Sequence, residues 1–245
     1  MKPLPLIALT FLAAASLHAG EKNLFNGKDL TGWKGVEGFW SVQDGCLTGK
    51  TTTENMVTEN TFLVWQDGEV GDFELTCKFK LVDLNGEAVK FGNSGIQYRS
   101  KVVKPEYFVV AGYQADMDTT NKYTGMLYEE KGRGILCLPG EKVTISAAEK
   151  NPADAKSKDF KIEANGSTGT GEEIKEAIKA ADWNEYKIIA KGNHLQHFVN
   201  GKQTADITDN DETHAAKTGV LALQLHKGPT GMTVQFKDMV LKTDN

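Results

Sequence analysis

The chain has 245 residues, of which 40% are hydrophobic, and its 28 Lys and Arg against 33 Asp and Glu give a formal net charge of −5. This is the composition of a globular protein, and the length allows one large β domain or two small ones. The mild acidity and the absence of any run rich in Lys and Arg argue against a nucleic acid as partner.

The start of the chain has the pattern of a secretory signal peptide over residues 1–19. Lys2 is the positive end, Leu4 to Leu17 is a short apolar stretch, and Ala19 suits cleavage. We therefore expect a mature protein that is periplasmic or secreted. No later stretch approaches ~18 continuous apolar residues, so no membrane span is expected.

The rest of the chain alternates short strand-like runs with turn pairs such as Asn26-Gly27, Asp44-Gly45 and Asn200-Gly201. These pairs tolerate the positive φ that tight hairpins need. The ten predicted strands are Trp40–Val42, Asp72–Leu81, Gly95–Ser100, Tyr107–Asp118, Gly125–Tyr128, Val143–Ala147, Trp183–Lys191, Leu195–Asn200, Gly219–His226 and Thr233–Lys242. Strands at this spacing indicate an all-β sandwich or barrel.

One helix is predicted over Gly171–Asp182, because apolar residues recur there at helical spacing, and we expect it to close one end of the sandwich. The polar and charged segment Ala148–Lys158 is predicted as an exposed excursion. Apolar strands continue on both sides of this segment and no internal repeat occurs. We therefore expect residues 20–245 to form a single domain.

The chain has three cysteines, Cys46, Cys77 and Cys137. An odd count in an exported protein leaves at least one thiol unpaired. Cys77 falls on the apolar face of the strand Asp72–Leu81, which favours a small buried hydrophobe over a disulfide partner. None of the three has the spacing of a metal site.

Three strands carry planar hydrogen-bonding or titratable side chains on their polar faces. These are Gln97 and Arg99 on one strand, Gln114, Asp116 and Asp118 on the next, and Gln224 and His226 on the third. Such side chains on rigid strands suit a sugar or polyol, whose hydroxyls need paired donors and acceptors. The alternative is an exposed sheet face with coincidental polar residues.

A series of short motifs follows in order along the chain. They are Leu24–Trp33 (LFNGKDLTGW), Asn93–Arg99 (NSGIQYR), Gly112–Asp118 (GYQADMD), Gly125–Glu130 (GMLYEE), Trp183–Tyr186, Gly192–His194, Val199–Gly201 and Phe236–Met239. In these motifs the chain resembles the 3-keto-disaccharide hydrolase domain family of bacterial genomes, over about residues 22–243.

The resemblance implies a concanavalin A-like jelly-roll sandwich of two curved antiparallel sheets, with the ligand on the concave face. It also implies action on glycosides that are oxidised at C3 of the sugar. Many members read Gly-Tyr-Glu-x-Gln where this chain has Gly112–Asp116. This departure leaves open which carboxylate serves as acid or base and which substrate is used.

A ketone at C3 acidifies the proton at C2 of the sugar. A base can then remove this proton, the group on C1 can leave by elimination, and hydration gives the free sugar. The reaction needs a base, an acid for the leaving oxygen and donors for the enolate. Asp116 and His226 are the predicted acid/base pair, with the base role open between them; alternatively, Asp116 only forms a salt bridge with Arg99.

The predicted substrate-binding residues are polar or aromatic side chains: Gln97, Arg99, Gln114, Tyr128, Gln224, Arg133 and His194. Arg133 lies in a loop that closes over the ligand or, alternatively, in a surface turn. His194 reaches the rim of the cleft or is a solvated turn residue.

No metal site is predicted, and the need for a cofactor stays open. His194 and His197 are three residues apart and point to opposite sides of a strand, which argues against a shared metal. Asp209–Glu212 is oxygen-rich enough for calcium, but a solvated loop is favoured.

Two other carbohydrate-related functions are considered. Laminarinase-like glucanases place Glu-x-Asp-x-x-Glu on one strand, and this triplet is absent from the sequence. A lectin-like module would bind an ordinary glycan on the same polar face without turnover. The titratable pair favours the enzyme over the binding module. Both functions have a carbohydrate partner, and the oligomeric state stays open.

Overall fold

The computed structural model describes residues 20–151, 153–154, 156–228 and 231–243. The predicted signal peptide lies outside these residues. The described residues form seventeen strands, one α-helix and a short 3-10 helix at Pro105–Tyr107.

The strands follow one another along the chain with short connections. They are β1 (Gly20–Asn23), β2 (Trp33–Lys34), β3 (Trp40–Gln43), β4 (Cys46–Thr51), β5 (Thr61–Trp65), β6 (Phe73–Val82), β7 (Asn93–Lys104), β8 (Val109–Asp118), β9 (Leu127–Glu130), β10 (Gly134–Cys137), β11 (Glu141–Ala147), β12 (Phe160–Ser167), β13 (Asn184–Lys191), β14 (His194–Val199), β15 (Lys202–Asp209), β16 (Val220–Leu225) and β17 (Met232–Thr243). The helix α1 spans Gly171–Ala177.

The strands form two sheets. The ten-stranded sheet has the order β12-β11-β15-β14-β13-β6-β17-β4-β3, with β1 also paired to β17, and the seven-stranded sheet has the order β10-β9-β8-β7-β16-β5-β2. Among the described strands, all pairs are antiparallel except β11 and β15, which run parallel. The predicted concanavalin A-like jelly-roll sandwich is confirmed, with this one parallel pair as an exception.

The core lies between the sheets, because alternate residues of each strand point inward. In β6 the buried positions alternate with half-buried ones from Phe73 to Phe79. From the other sheet, Ile96 and Tyr98 of β7 join the same hydrophobic cluster. Each large apolar side chain buried in this way stabilises the fold by about 1.5–3 kcal/mol.

The three cysteines are buried and free. The expectation of at least one unpaired thiol is therefore confirmed. Cys77 lies on the core face of β6 and packs in the hydrophobic cluster as a small apolar residue. Burial raises the pKa of its thiol, which makes it unreactive.

All ten predicted strands are present, with shifted ends, but seven further strands were missed. Two of the missed strands, β4 and β5, are buried on both faces and so lack the alternation that reveals a half-buried strand. A third, β12, is an edge strand whose residues are exposed beyond Phe160. The described residues of Ala148–Lys158 are exposed or half-buried, as predicted.

Helix α1 is shorter than predicted. It begins after Thr170, which caps it together with Glu173 in a reciprocal capping box. It ends at Ala177, because Ile178 takes an extended conformation. The carbonyl of Ala177 instead accepts a hydrogen bond from Asn200 Nδ2 at 2.7 Å. Side-chain hydrogen bonding at this end therefore replaces the last predicted turns.

The outer face of the seven-stranded sheet, turned away from the core, has an apolar part and a polar part. Phe62, Val64, Val110 and Ala222 form a second hydrophobic cluster on this face, and Phe108 packs against it. Ala222 pairs with Gln97 of β7, whose side chain begins the polar part. The polar part carries the candidate site.

Candidate functional site

Neighbouring strands bring the polar residues of the outer face together. Gln97 pairs with Gln114, and Gln114 pairs with Tyr128, so the three side chains share one face. Here lies a cavity of about 270 Å³, called the polar cavity below. Its polar lining comprises Asn60, Asn93, Gln114, Asp116, Glu130, Gln224 and His226, and its apolar walls are Tyr123, Met126, Tyr128 and Ile135.

The structure brings six of the nine predicted site residues to this place. Gln114, Asp116, Tyr128, Gln224 and His226 line the polar cavity. The amide of Gln97 lies 2.8 Å from Gln114 Oε1 and so joins the group from the neighbouring strand. The other three, Arg99, Arg133 and His194, lie elsewhere.

Gln114 is the centre of a buried amide network. Its Oε1 accepts a hydrogen bond from Gln224 Nε2 at 2.9 Å, and its Nε2 donates to Asp116 Oδ1 at 2.6 Å. The side chain can cross β7 because Gly95 lies under it: a Cβ at Gly95 would lie 2.5 Å from Gln114 Cγ. The network therefore fixes the orientation of the Asp116 carboxyl.

Asp116 is a buried carboxyl at the edge of the cavity. Its Oδ2 accepts a hydrogen bond from Asn93 Nδ2 at 3.3 Å. Burial raises the pKa of Asp116 well above its ordinary value, and the charges of Asp118 and Glu130 raise it further. The hydrogen bonds from Gln114 and Asn93 act in the opposite direction, but burial prevails, so Asp116 keeps its proton to a higher pH than an ordinary carboxyl does.

Glu130 is a second cavity carboxyl that the sequence interpretation missed. Strand β9 continues two residues beyond the predicted end at Tyr128, so Glu130 shares the face of Tyr128. Its Oε2 accepts hydrogen bonds from Asn60 Nδ2 at 3.3 Å and Gln224 Nε2 at 3.5 Å. Burial raises the pKa of Glu130. Alternation carried on from Tyr128 would have found it.

His226 follows β16 directly and is half-buried in the cavity wall. Burial lowers the pKa of its imidazole, so the neutral form prevails near neutral pH. The next residue is held in place, because the Lys227 backbone N–H donates to Asn60 Oδ1 at 2.9 Å. A neutral imidazole in the cavity wall can accept a proton.

Gln224 has an unsatisfied acceptor. Its side chain is fully buried, and its Nε2 donates to Gln114 and Glu130. Its Oε1 has no hydrogen-bond partner within the described part of the chain. An unpaired buried acceptor costs about 1–3 kcal/mol, so this oxygen is a locally destabilising part of the amide network.

Arg99 does not share the face of Gln97, and this expectation was wrong. A bulge interrupts β7 after Tyr98, and Arg99 has a positive φ of 46°, which turns its side chain away. Its guanidinium donates to the carbonyls of Gly71 and Gly192 and pairs with Asp72 at 2.8 Å. The alternative of a salt bridge from Asp116 to Arg99 is therefore also wrong.

Arg133 lies in the predicted turn, between β9 and β10, but its side chain is buried and does not line the polar cavity. It forms ion pairs with Glu129 at 2.9 Å, Asp209 at 2.6 Å and Asp211 at 3.3 Å. The hydroxyl of Tyr113 donates to Asp209 at 2.5 Å. Asp209 and Asp211 thus belong to a buried ion cluster, and the interpretation of this segment as a solvated loop was wrong for them.

His194 lies in the ten-stranded sheet, outside the polar cavity. Its Nε2 pairs with Asp206 Oδ1 at 2.8 Å. His197 points the opposite way into the core and lies 3.0 Å from the hydroxyl of Tyr98, so the two histidines do not share a face, as predicted. In the described ranges, no group of three or more His, Cys, Asp or Glu side chains is placed to hold a metal ion.

Asp118 shapes one wall of the cavity instead of lining it. Its Oδ1 accepts hydrogen bonds from the backbone N–H groups of Tyr123 at 2.8 Å and Thr124 at 3.0 Å. These bonds fold the connection between β8 and β9 and place Tyr123 beside the cavity.

The family of the chain follows from comparison with known proteins. The 3-keto-alpha-glucoside-1,2-lyase-like domain matches residues 20–242. The chain belongs to this family. The predicted resemblance is thereby confirmed over nearly all of the described chain. None of the curated proteins matches this chain.

Solved structures with the same fold include carbohydrate-related proteins. A proposed glycosyl hydrolase from Parabacteroides distasonis has a TM-score of 0.55 at 19% identity, covering 92% of this chain and 94% of that one. A carbohydrate-binding module, CBM66, from Bacillus subtilis has a TM-score of 0.53 at 14% identity, with 88% and 98% covered. A Bacillus subtilis protein of unknown function with a galectin-like fold has a TM-score of 0.54 at 12% identity, with 87% and 90% covered. At these identities, the likeness shows the fold alone.

No helix in the described residues of this lyase-like family member has the length and apolar character to cross a membrane.

Proposed function

We propose that this member of the 3-keto-alpha-glucoside-1,2-lyase-like family is an exported enzyme that cleaves 3-keto-glycosides or 3-keto-disaccharides by elimination. One observation carries the proposal: the polar cavity combines a buried carboxyl, Asp116, with a half-buried imidazole, His226. Their pKa values are shifted in opposite directions by burial. Such a pair supplies a proton donor and a proton acceptor at the same pH.

The lining of the polar cavity suits a sugar ring. Amide side chains from Gln114, Gln224 and Asn93 supply donors and acceptors for hydroxyls on rigid strands. Tyr123 and Tyr128 form an aromatic wall, against which the apolar face of a sugar ring can pack. These features support a carbohydrate ligand.

In the proposed reaction, His226 is the base. Its lowered pKa keeps it neutral at neutral pH, so it can take the proton from C2 of the 3-keto sugar. Asp116, held in its protonated form by burial, donates to an oxygen that gains negative charge. Loss of the C1 substituent gives an enone, and addition of water then gives the free 3-keto sugar.

The remaining predicted residues divide into two groups in this proposal. Gln97, Gln114 and Gln224 orient Asp116 and the sugar hydroxyls through the amide network. Arg133 holds the scaffold through its buried ion pairs, and the guanidinium of Arg99 is held outside the polar cavity by Gly71, Gly192 and Asp72.

The test is release of a chromophore from a 3-keto-glucoside by the mature protein, compared with its unoxidised parent and repeated with a chelator. We expect release from the keto form only, lost in Asp116→Asn and in His226→Ala. Glu163→Gln, on the exposed strand β12, is the control that keeps activity. Circular dichroism shows whether each variant is folded.

The result that would overturn the proposal is no release from either sugar together with saturable binding of an unmodified glycan. That outcome would identify a lectin-like binding module. Export is tested separately, by fractionating cells that express the full chain and a form lacking residues 2–19. We expect only the full chain outside the cytoplasm.

A further inference from the structure

A second cavity, of about 350 Å³, adjoins the polar cavity. It lies where β7 and β8 meet the turn between β9 and β10, with Ser100, Gly112 and Lys131 among its lining residues. Glu130 is the one residue that lines both cavities within the described structure. It therefore stands at the boundary between them.

The second cavity has a hydrophilic lining. Most of the residues that line it are charged or polar: Glu69, Arg99, Ser100, Lys101, Glu129, Glu130, Lys131, Thr213, His214 and Thr218. Among the described residues that line it, there is no Phe, Tyr or Trp ring. Such a lining favours a hydroxylated group, such as a second sugar, over a flat aromatic one.

One oxygen of the Glu130 carboxyl accepts hydrogen bonds, and the other is available to a ligand. In the described part of the molecule, both of its hydrogen bonds go to Oε2, from Asn60 and from Gln224. These bonds fix the carboxyl in the polar cavity and leave Oε1 for a ligand. Burial favours the protonated form, as a proton donor requires.

We propose that Glu130 is the general acid that protonates the leaving oxygen, and that the second cavity binds the leaving group, a hydroxylated group such as a sugar. This inference rests on the proposed function. The leaving oxygen joins the reacting sugar to the leaving group. With the reacting sugar in the polar cavity and the leaving group in the second, this oxygen lies at their boundary, beside Glu130.

The C2–H bond breaks, and its proton goes to His226. The electron pair of that bond forms the C1=C2 double bond, and the C1–O bond breaks with its electron pair on oxygen. This oxygen takes the proton of Glu130 and leaves as an alcohol. Exchange with water then restores the neutral imidazole and the protonated carboxyl.

This assignment also specifies the role of Asp116. With Glu130 at the leaving oxygen, the protonated Asp116 donates its hydrogen bond to the C3 ketone oxygen, where the enolate charge develops. A carboxylic acid kept neutral by burial stabilises an enolate in this way.

The test is the dependence of activity on the leaving group in Glu130→Gln. A good leaving group such as 4-nitrophenolate departs without a proton, whereas methanol or a sugar alcohol needs one. We expect kcat/KM for the methyl 3-keto-glucoside and for a 3-keto-disaccharide to fall by about 100-fold or more, and for the nitrophenyl substrate by less than about 10-fold. Glu163→Gln is the control, with all three rates unchanged.

A second variant tests the leaving-group cavity without touching the acid. Thr218→Trp places a bulky ring at the edge of the second cavity, at an exposed position. We expect KM for the 3-keto-disaccharide to rise by about tenfold, equivalent to about 1.4 kcal/mol, with little change for the methyl glycoside.

The outcomes separate the inference from the proposed function. If Glu130→Gln lowers all rates equally, or if Thr218→Trp leaves KM for the disaccharide unchanged, the corresponding part of the inference is refuted. If the wild-type protein releases nothing from any 3-keto-glycoside, the proposed function fails, and the role of Glu130 fails with it.

Discussion

Replacement of Gln224 by Met should separate stability from function. Methionine has nearly the same volume as glutamine, so the core packing is kept. The change removes two hydrogen bonds, from Nε2 to Gln114 at 2.9 Å and to Glu130 at 3.5 Å, and also removes the buried Oε1 that has no partner in the described structure. Gln114 Oε1 keeps its contact with the Gln97 amide at 2.8 Å.

The two changes act in opposite directions on the free energy of unfolding. Loss of the two hydrogen bonds costs about 1–3 kcal/mol, and removal of an unsatisfied buried acceptor gains about 1–3 kcal/mol. The net change therefore lies between a loss of about 2 and a gain of about 2 kcal/mol. Gln224→Met also removes the bonds that position Gln114 and Glu130 in the polar cavity, so we expect kcat/KM to fall by about 5- to 150-fold, equivalent to about 1–3 kcal/mol.

The assays are urea unfolding and kcat/KM for the 3-keto-glucoside, with Gln235→Met as the matched control. Gln235 is half-buried on β17 of the other sheet. We expect the stability of Gln224→Met to lie within about 2 kcal/mol of wild type and its activity to be much lower. A loss of stability above about 2 kcal/mol would show that Oε1 is satisfied in the free protein and would refute the reasoning.

Three further predictions follow from the contacts of the site and its support. In Gly95→Ala, the new Cβ would lie 2.5 Å from Gln114 Cγ, so we expect at least about a tenfold loss of activity and about 1–3 kcal/mol of stability by urea unfolding. Burial raises the pKa of Asp116, so its ionisation destabilises the fold as pH rises through that pKa. The Asp116→Asn variant should therefore be more stable than wild type at pH 8, and this gain should shrink towards pH 4. Thermal melts of both proteins at each pH measure the difference. Arg133→Met leaves three buried carboxylates without their partner and should cost about 3–5 kcal/mol in urea unfolding, whereas a loss below about 1 kcal/mol would contradict a buried ion cluster.

Strand alternation predicted the grouping of Gln97, Gln114 and Gln224, because side chains that alternate along paired strands share a face. The same rule failed for Arg99, because the bulge in β7 is set by pairing with β8 and has no local signal. It also failed for β5, since burial on both faces removes alternation. Alternation is thus informative only where one face is solvated and the pairing is regular.

Arg133 could not be placed from sequence for a different reason. Its neighbours Gly132 and Gly134 are typical of a surface turn, and the turn is present between β9 and β10. The carboxylates of Asp209 and Asp211 come from residues more than 70 positions further along the chain. Their approach depends on β10 and β15 lying in facing sheets, which no local pattern shows.

The buried ion cluster also explains why two adjacent glutamates differ in role. Glu129 points inward to Arg133, and Glu130 points outward to the polar cavity. Shifting β9 by one residue against β8 would exchange the two faces and place Glu129 in the cavity. That shift would also break the ion pair between Glu129 and Arg133, leaving charges buried without partners at a cost of about 3–5 kcal/mol. Arg133 thus helps to fix the register that puts Tyr128 and Glu130 in the cavity, although it does not line the cavity itself.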